Sequence, residues 1–378
     1  MKLPPLGLYV HLPWCERKCP YCDFNSHETA NIPEAAYIDA LLRDLKADRS
    51  LVQGREIASV FIGGGTPSLF SAASIRTLLA GIAGRVPLAA DVEVTLEANP
   101  GSAEMQKFHG FRDAGVNRLS LGVQSFDDTS LRALGRVHDS EQAIAAIAFA
   151  RAAGFSNINL DLMHGLPGQH RDRATRDINL AIASDISHIS WYQLTIEPNT
   201  LFYKRRPALP AEDLLATIQT DGTALLESAG YGQYEVSAYS QSAQRCRHNL
   251  NYWTFGDYLG IGAGAHGKIS FGDSSIRRYA KRRQPDDYLG AAAGEHTAQN
   301  SELGVRDIAA EFVMNALRLP DGFTLRLFEA RTGLAARALQ PALDAMAERE
   351  LLLLEHDRVV TTAMGWRFLD TVVAQFFP

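Results

Sequence analysis

Cys15, Cys19 and Cys22, in the run Cys-Glu-Arg-Lys-Cys-Pro-Tyr-Cys, are three of only four cysteines in a chain of 378 residues. A disulfide framework needs more cysteines, so three thiols packed this tightly read as metal ligation. Two metals suit the pattern. Iron–sulfur clusters are held by cysteine thiolates, and three thiolates leave one iron of a four-iron cluster open to a small molecule. Tetrahedral zinc wants four ligands, and either His11 or His27 would complete a structural Cys3His site.

The apolar segment Gly7 to Leu12 delivers these thiols, and it is the first of six. Ala58 to Ile62, Asp91 to Leu96, Asn117 to Val123, Asn157 to Leu162 and His188 to Leu194 are short and apolar. Helical patterns such as Ile75 to Ile82 and Glu141 to Ala153 separate them. Such alternation implies parallel strands with right-handed crossovers, six βα units by about residue 230. The unusual residues fall at the strand ends. Cys15 to Cys22 follow the first strand, Gly63-Gly64-Gly65-Thr66-Pro67 the second, and Glu97 ends the third. Gln124 ends the fourth, Asp161 lies at the end of the fifth, and Gln193 to Glu197 closes the sixth. In a parallel barrel the C-terminal strand ends carry the chemistry, so these segments should meet at one mouth.

Each has a plainer reading. The glycine run serves as a tight turn, or lets backbone N–H groups come close to a ligand. Glu97, beside Asn99-Pro100, caps the next helix or faces a ligand. Gln124 and Asp161 need buried partners, which a structural hydrogen bond or a cofactor supplies. Arg136 is a surface helix residue or a carboxylate's partner.

Composition bounds the rest. At 41.4 kDa the chain suits a large α/β domain plus a smaller one. A net charge of −6 argues against nucleic acid as the main partner. No apolar run spans a membrane, and the N-terminus lacks a signal-peptide core, so the expected location is the cytoplasm, with peripheral membrane contact left open.

Over essentially its whole length the chain resembles the radical S-adenosylmethionine superfamily. Within it, the resemblance is to the group of oxygen-independent coproporphyrinogen III dehydrogenase and the HemW-type heme chaperones. This implies a 4Fe-4S cluster on Cys15, Cys19 and Cys22, whose open iron takes S-adenosylmethionine and cleaves it to a 5'-deoxyadenosyl radical. It also implies that Tyr9 and Tyr21 flank cluster and cofactor, and that Gly64, Gly65 and Thr66 line the methionine amino end. By the same resemblance Glu97 contacts the cofactor, and Gln124, Arg136 and Asp161 match residues that hold a second S-adenosylmethionine in the dehydrogenase.

Two departures favour the chaperone group. Phe24 stands where the dehydrogenase has a further cysteine, and Cys15 lies too near the start for that enzyme's N-terminal lid. A third feature is Cys246-Arg247-His248-Asn249-Leu250-Asn251-Tyr252-Trp253, whose H-N-x-x-Y-W pattern resembles the heme-binding signature of that group. His248 is then the heme ligand, with Tyr252 and Trp253 as flat faces for the porphyrin. The alternatives are a scaffold histidine and a packing pair. Cys246 is a second axial candidate or an inert buried thiol.

Leu259 to Gly267, rich in glycine, closes the large domain, and in the resembled family it contributes to the cofactor pocket. Arg277, Arg278, Lys281, Arg282 and Arg283 form a basic run, a solvated face or a partner for propionates or anionic lipid. From Gly304 the pattern turns helical (Ile308 to Leu317, Thr324 to Ala330, Ala335 to Ala347), then a hairpin around His356-Asp357 and a final helix. That segment, from Val305 on, holds eight arginines, no lysine and ten acidic residues, which disfavours DNA.

The expectation is an α/β protein, a partial (β/α)6 radical-SAM barrel (residues 1–235) with a barrel-closing heme-motif segment (236–303) and a winged-helix-like domain (304–378). Its function is to bind heme and pass it to acceptor hemoproteins, which the resemblance places in the respiratory chain, with cluster-dependent dimerisation. The alternative is dehydrogenation of coproporphyrinogen III or another radical reaction on a tetrapyrrole.

Overall fold

Six parallel strands form in the expected places, and the computed structural model describes residues 2–377. They are β1 (Leu6–Leu12), β2 (Ile57–Gly64), β3 (Leu88–Ala98), β4 (Arg118–Gln124), β5 (Asn157–His164) and β6 (His188–Gln193). Each pairs with the next in chain order, as Leu8 with Val60 and Leu160 with Ile189 show. Leu8, Val10 and Leu12 of β1 are wholly buried, as a strand covered on both faces requires. Helices such as Glu34–Ala47, Ala72–Ala83 and Ser140–Ala152 make the crossovers. Asp139 and Gln142 form a capping box that fixes where the last of these begins.

The sheet runs beyond six strands at both edges. β7 (Gly232–Glu235) and β8 (Ala238–Ser240) continue antiparallel from β6. On the other side β9 (Asp257–Ile261) lies parallel to β1, and β10 (His266–Ser270), β11 (Ile276–Lys281) and β12 (Thr297–Glu302) follow antiparallel. The order is β12-β11-β10-β9-β1-β2-β3-β4-β5-β6-β8-β7. Residues 236–303 thus widen the arc at both edges, and among the described residues β12 and β7 do not pair. The barrel is partial.

Two buried ion clusters anchor the added strands. Asp257 accepts from Lys268 Nζ at 2.8 Å and from Arg55 Nη1 at 2.6 Å, tying β9 to β10 and to the loop before β2. Burial lowers the Lys268 amine to about 8, against the pull of Asp257. Lys281, buried, donates to Asp44 at 2.7 Å and to Asp48 at 2.6 Å on and after the first helix. The basic run is therefore not one charged face. Lys281 points inward, Arg278 is paired with Glu311, and Arg283 is exposed.

The C-terminal part has its own core, in which Phe312 meets Phe323 and Phe328 edge-on at centroid distances of 5.0 and 5.1 Å. Helices Val305–Ala316 and Leu325–Thr332 match expectation. The third is interrupted: a 3-10 turn Ala336–Leu339 precedes the helix Ala342–Glu348, because Pro341 lacks the N–H a continuous helix needs. The hairpin Leu352–Glu355 and Arg358–Thr361 turns at His356 and gains a third strand from Phe323–Thr324. The final helix is two short ones, Ala363–Arg367 and Leu369–Ala374. The result is a winged-helix-like unit.

Removing one partner from a buried ion cluster leaves the others uncompensated. Asp257→Ala should therefore destabilise the fold by about 3–5 kcal/mol, read as a lower urea midpoint. An unchanged midpoint would show that the cluster contributes nothing net.

Candidate functional site

The C-terminal ends of β1 to β6 open on one rim, and the seam between β1 and β2 sets the geometry there. After Leu12 the chain passes through Trp14–Cys15, which pairs with His27–Glu28 and closes the loop carrying the thiols. The glycine turn lies directly against this loop. Gly65 N–H donates to Leu12 O at 2.8 Å, and Thr66 N–H to Trp14 O at 2.7 Å. A Cβ on Gly65 would sit 2.5 Å from the Trp14 carbonyl oxygen, and one on Gly64, at φ +119°, 2.6 Å from the His11 ring. Gly64 N–H is also committed, to Glu97 Oε2 at 3.1 Å. Glycine is required for close packing, and the expectation that these N–H groups reach a ligand gives way to their service within the protein.

The rim encloses a cavity of about 260 Å³. Cys15, Cys19 and Cys22 line one side, all free thiols, with Tyr21 beside them. Gly64, Gly65 and Thr66 line the second side, and Glu97, Gln124, Arg136 and Asp161 the remainder. Eleven of the thirteen expected site residues thus meet in one space; Tyr9 and His248 lie outside it.

The electrostatics follow from burial. Thr66 Oγ1 lies 3.4 Å from Cys15 Sγ, yet burial still raises that thiol. Arg136 approaches Cys19 Sγ at 3.7 Å while its Nη2 donates to Asn99 at 2.6 Å and to the Gly122 carbonyl at 2.7 Å. Its buried Nε has no partner. Glu97 is pushed up to about 7, first by burial and then by the charge of Asp161. Burial also raises Asp161, which accepts from Ser120 at 3.0 Å and Asn159 at 2.8 Å. Gln124 ends β4 at φ 67° and accepts from the Tyr192 hydroxyl at 2.8 Å.

Three free thiols, an unpartnered guanidinium nitrogen and two carboxyls in one cavity are a donor set that fits an iron–sulfur cluster with S-adenosylmethionine. A single zinc ion would need a fourth ligand beside the three thiols. His11 has both ring nitrogens engaged, Nδ1 with Tyr9 Oη at 2.9 Å and Nε2 with Asn25 O at 2.9 Å. The Nε2 of His27 faces Asn25 Oδ1 at 3.2 Å.

His248 is placed otherwise than expected. It is buried, stacked on Phe61, with Nδ1 2.9 Å from Ser59 Oγ and Nε2 2.9 Å from Tyr252 Oη. Burial lowers it to about 3, so the ring is neutral, but neither nitrogen is free for iron. Nor do Tyr252 and Trp253 form one platform: Trp253 turns away to stack with Arg318 at 4.5 Å. Cys246 is wholly buried and raised to about 11 by that burial, an inert thiol. Tyr192, Asn99 and Ser120 line the cavity without having been expected there as ligand-facing residues. For Tyr192 the signal was the strand's alternation, which puts it on the same face as Ser190.

Comparison with known proteins follows this geometry. Residues 9–181 match the radical SAM superfamily and residues 304–368 the HemN C-terminal domain. The chain is 47% identical over 377 residues to the heme chaperone HemW of Escherichia coli strain K12, covering 100% of this chain and 99% of that one. To heme chaperone HemW of Haemophilus influenzae it is 46% identical, covering 99% and 98%. Among solved structures it is similar to coproporphyrinogen III oxidase (HemN) of Escherichia coli, with TM-score 0.84 at 23% identity over 99% of this chain and 90% of that one. That last likeness is one of fold.

The Glu97 carboxyl ionises near 7 in the fold against an ordinary 4.5. Its contribution to stability is full below pH 4.5 and is lost as pH rises through 7, on the order of 3 kcal/mol by pH 8. Glu97→Gln should therefore flatten the fall in stability of the cluster-free protein between pH 5 and 8, as followed by denaturant unfolding. Parallel wild-type and variant curves would refute the shift.

Proposed function

The chain belongs to the radical SAM superfamily and, within it, to the HemW family, and on that premise we propose that it is a heme chaperone, binding heme and transferring it to acceptor hemoproteins. The observation that carries this reading is full-length identity of 47% to a HemW protein, against 23% to HemN. Phe24, where the dehydrogenase has cysteine, agrees with it.

In this reading Cys15, Cys19 and Cys22 hold a 4Fe-4S cluster. Gly64, Gly65, Thr66 and Glu97 surround the amino end of S-adenosylmethionine, with Tyr21, Gln124, Arg136 and Asp161 completing its pocket. An amine donates, so the Glu97 carboxyl is suited to it, and Arg136 is suited to a carboxylate. The bound pair would supply one-electron chemistry, while the protein supplies position and shelter from water. Tyr9 acts at one remove by fixing His11. His248 acts through Tyr252 as a positioning residue for heme rather than as its ligand.

The finer parts of the proposal are acceptors in the respiratory chain, work in the cytoplasm against the inner face of the membrane, and a dimer that forms with the cluster. They rest on the resemblance alone. No helix of the described residues is long and apolar enough to cross a membrane.

Reconstituted protein loaded with heme should convert an apo-hemoprotein to its holo form, while giving no protoporphyrinogen from coproporphyrinogen III, S-adenosylmethionine and reductant. Porphyrinogen oxidation at an enzymatic rate would replace the chaperone with an enzyme. In the same preparation, serine at all three of positions 15, 19 and 22 should abolish iron–sulfur absorption and bound iron. Retention of either would remove the thiols as ligands.

A further inference from the structure

A second cavity, of about 550 Å³, adjoins the thiol cavity, and Phe24 borders both. Its volume falls within the range of small-molecule and cofactor sites, roughly 300–1,000 Å³. Tyr252, Tyr258 and Phe24 supply aromatic walls, with the two tyrosine rings edge to face at 4.4 Å. Rings at this angle would meet a planar macrocycle with one face and one edge.

Most polar groups around this space are already committed. The Tyr9 hydroxyl is held by His11, the Tyr252 hydroxyl by His248, and the Tyr258 hydroxyl accepts from Arg278. Lys281 is bound to Asp44 and Asp48. His11, also in the wall, has no nitrogen to spare. Two groups remain. Arg283 is exposed and makes one long bond, 3.3 Å from its Nε to Asn25 Oδ1, which leaves its Nη groups for an anion. His266 begins β10, its ring is exposed, and among the described residues neither ring nitrogen has a hydrogen-bond partner.

The backbone at His266 is firmly set. It pairs with Ala280 across β10 and β11, and β9 presses so close that a Cβ on Gly260 would lie 1.8 Å from the His266 carbonyl oxygen. An imidazole with both nitrogens free can offer one to a metal; the hydrogen bond that usually orients a ligating ring is not made here, so its orientation comes from the rigid backbone. Partial burial, with Arg278 nearby, lowers its affinity for a proton and favours the neutral ring.

We propose that this cavity is the heme site, with His266 as the axial ligand to iron and Arg283 as the partner of a propionate, while His248 only braces Tyr252. The inference rests on the chaperone reading and places its cargo. A single imidazole leaves the opposite face of the iron free for a ligand from the acceptor protein, which suits cargo meant to leave.

Ferric heme is titrated into the full-length protein, and Soret spectra are compared for wild type, His266→Ala, His266→Cys and His248→Ala. Wild type should show a nitrogen-ligated band, and His248→Ala should keep the position of that band while binding heme more weakly, since it removes only the brace on Tyr252. His266→Ala should lose it and regain it when free imidazole is added, and His266→Cys should shift it to the thiolate-ligated form. The cysteine variant keeps a ligand, so a shifted band separates lost ligation from lost fold. If His266→Ala keeps the wild-type band, or His266→Cys leaves it unshifted, His266 is not the ligand, although the chaperone reading survives wherever heme is still bound and transferred. If wild type takes up no heme, the chaperone reading falls and this inference falls with it.

Discussion

The site depends on one seam, where the end of β2 lies against the loop that leaves β1. Two backbone hydrogen bonds, from Gly65 to Leu12 and from Thr66 to Trp14, hold it shut. No side chain fits between the two segments, because a Cβ on Gly65 would collide with backbone rather than with a movable group. Within the thiol loop, Trp14–Cys15 pairs with His27–Glu28, and Lys18 Nζ donates to the Phe24 and Ser26 carbonyls. The glycine turn fixes this loop against β2. The same turn places Thr66 beside Cys15 and brings Gly64 to Glu97, so the first thiol and a carboxyl of the cavity are set by one contact.

Beneath the rim, a chain of buried polar groups links that pocket, along the same face of the sheet, to the N-terminal part of the strands. Asp161 is bonded to Asn159, Asn159 to His188, His188 to Tyr234, and the Tyr234 hydroxyl to the backbone N–H of Cys246. Glu93 then accepts from the N–H groups of Arg247 and His248. Almost every member is buried, so each must be partnered or cost stability. The helix Arg247–Trp253 is thereby locked in place, which is why the histidine it carries is a brace and not a free ligand.

Much of the arrangement was legible in the order of strands. Parallel strands put their C-terminal ends together, so Glu97, Gln124 and Asp161 could be assigned to one mouth from their position alone. What was not legible depends on contacts across distant elements. The engagement of His248 needs Ser59 from β2 and Tyr252 from its own helix, and no local pattern reveals both. The segment Leu259 to Gly267 is read from the sequence as closing the large domain, and it takes part in that closure through β9, which pairs with β1 across about 250 residues of chain. His266 was hidden within it. The basic run misled because what turns Lys281 inward is a pair of distant acids, Asp44 and Asp48, at a point where the pairing register shifts.

An arc that does not close has two edges, and unpaired strand edges template aggregation. Here β7 has only four residues, while β12, Thr-Ala-Gln-Asn-Ser-Glu, is exposed almost throughout and offers no large apolar side chain. A neighbouring strand that docked on β12 would bury polar groups and gain little apolar contact. The same residues that leave the barrel open also keep it from polymerising, so the molecule can stay unclosed in a crowded solution without becoming the start of a fibre.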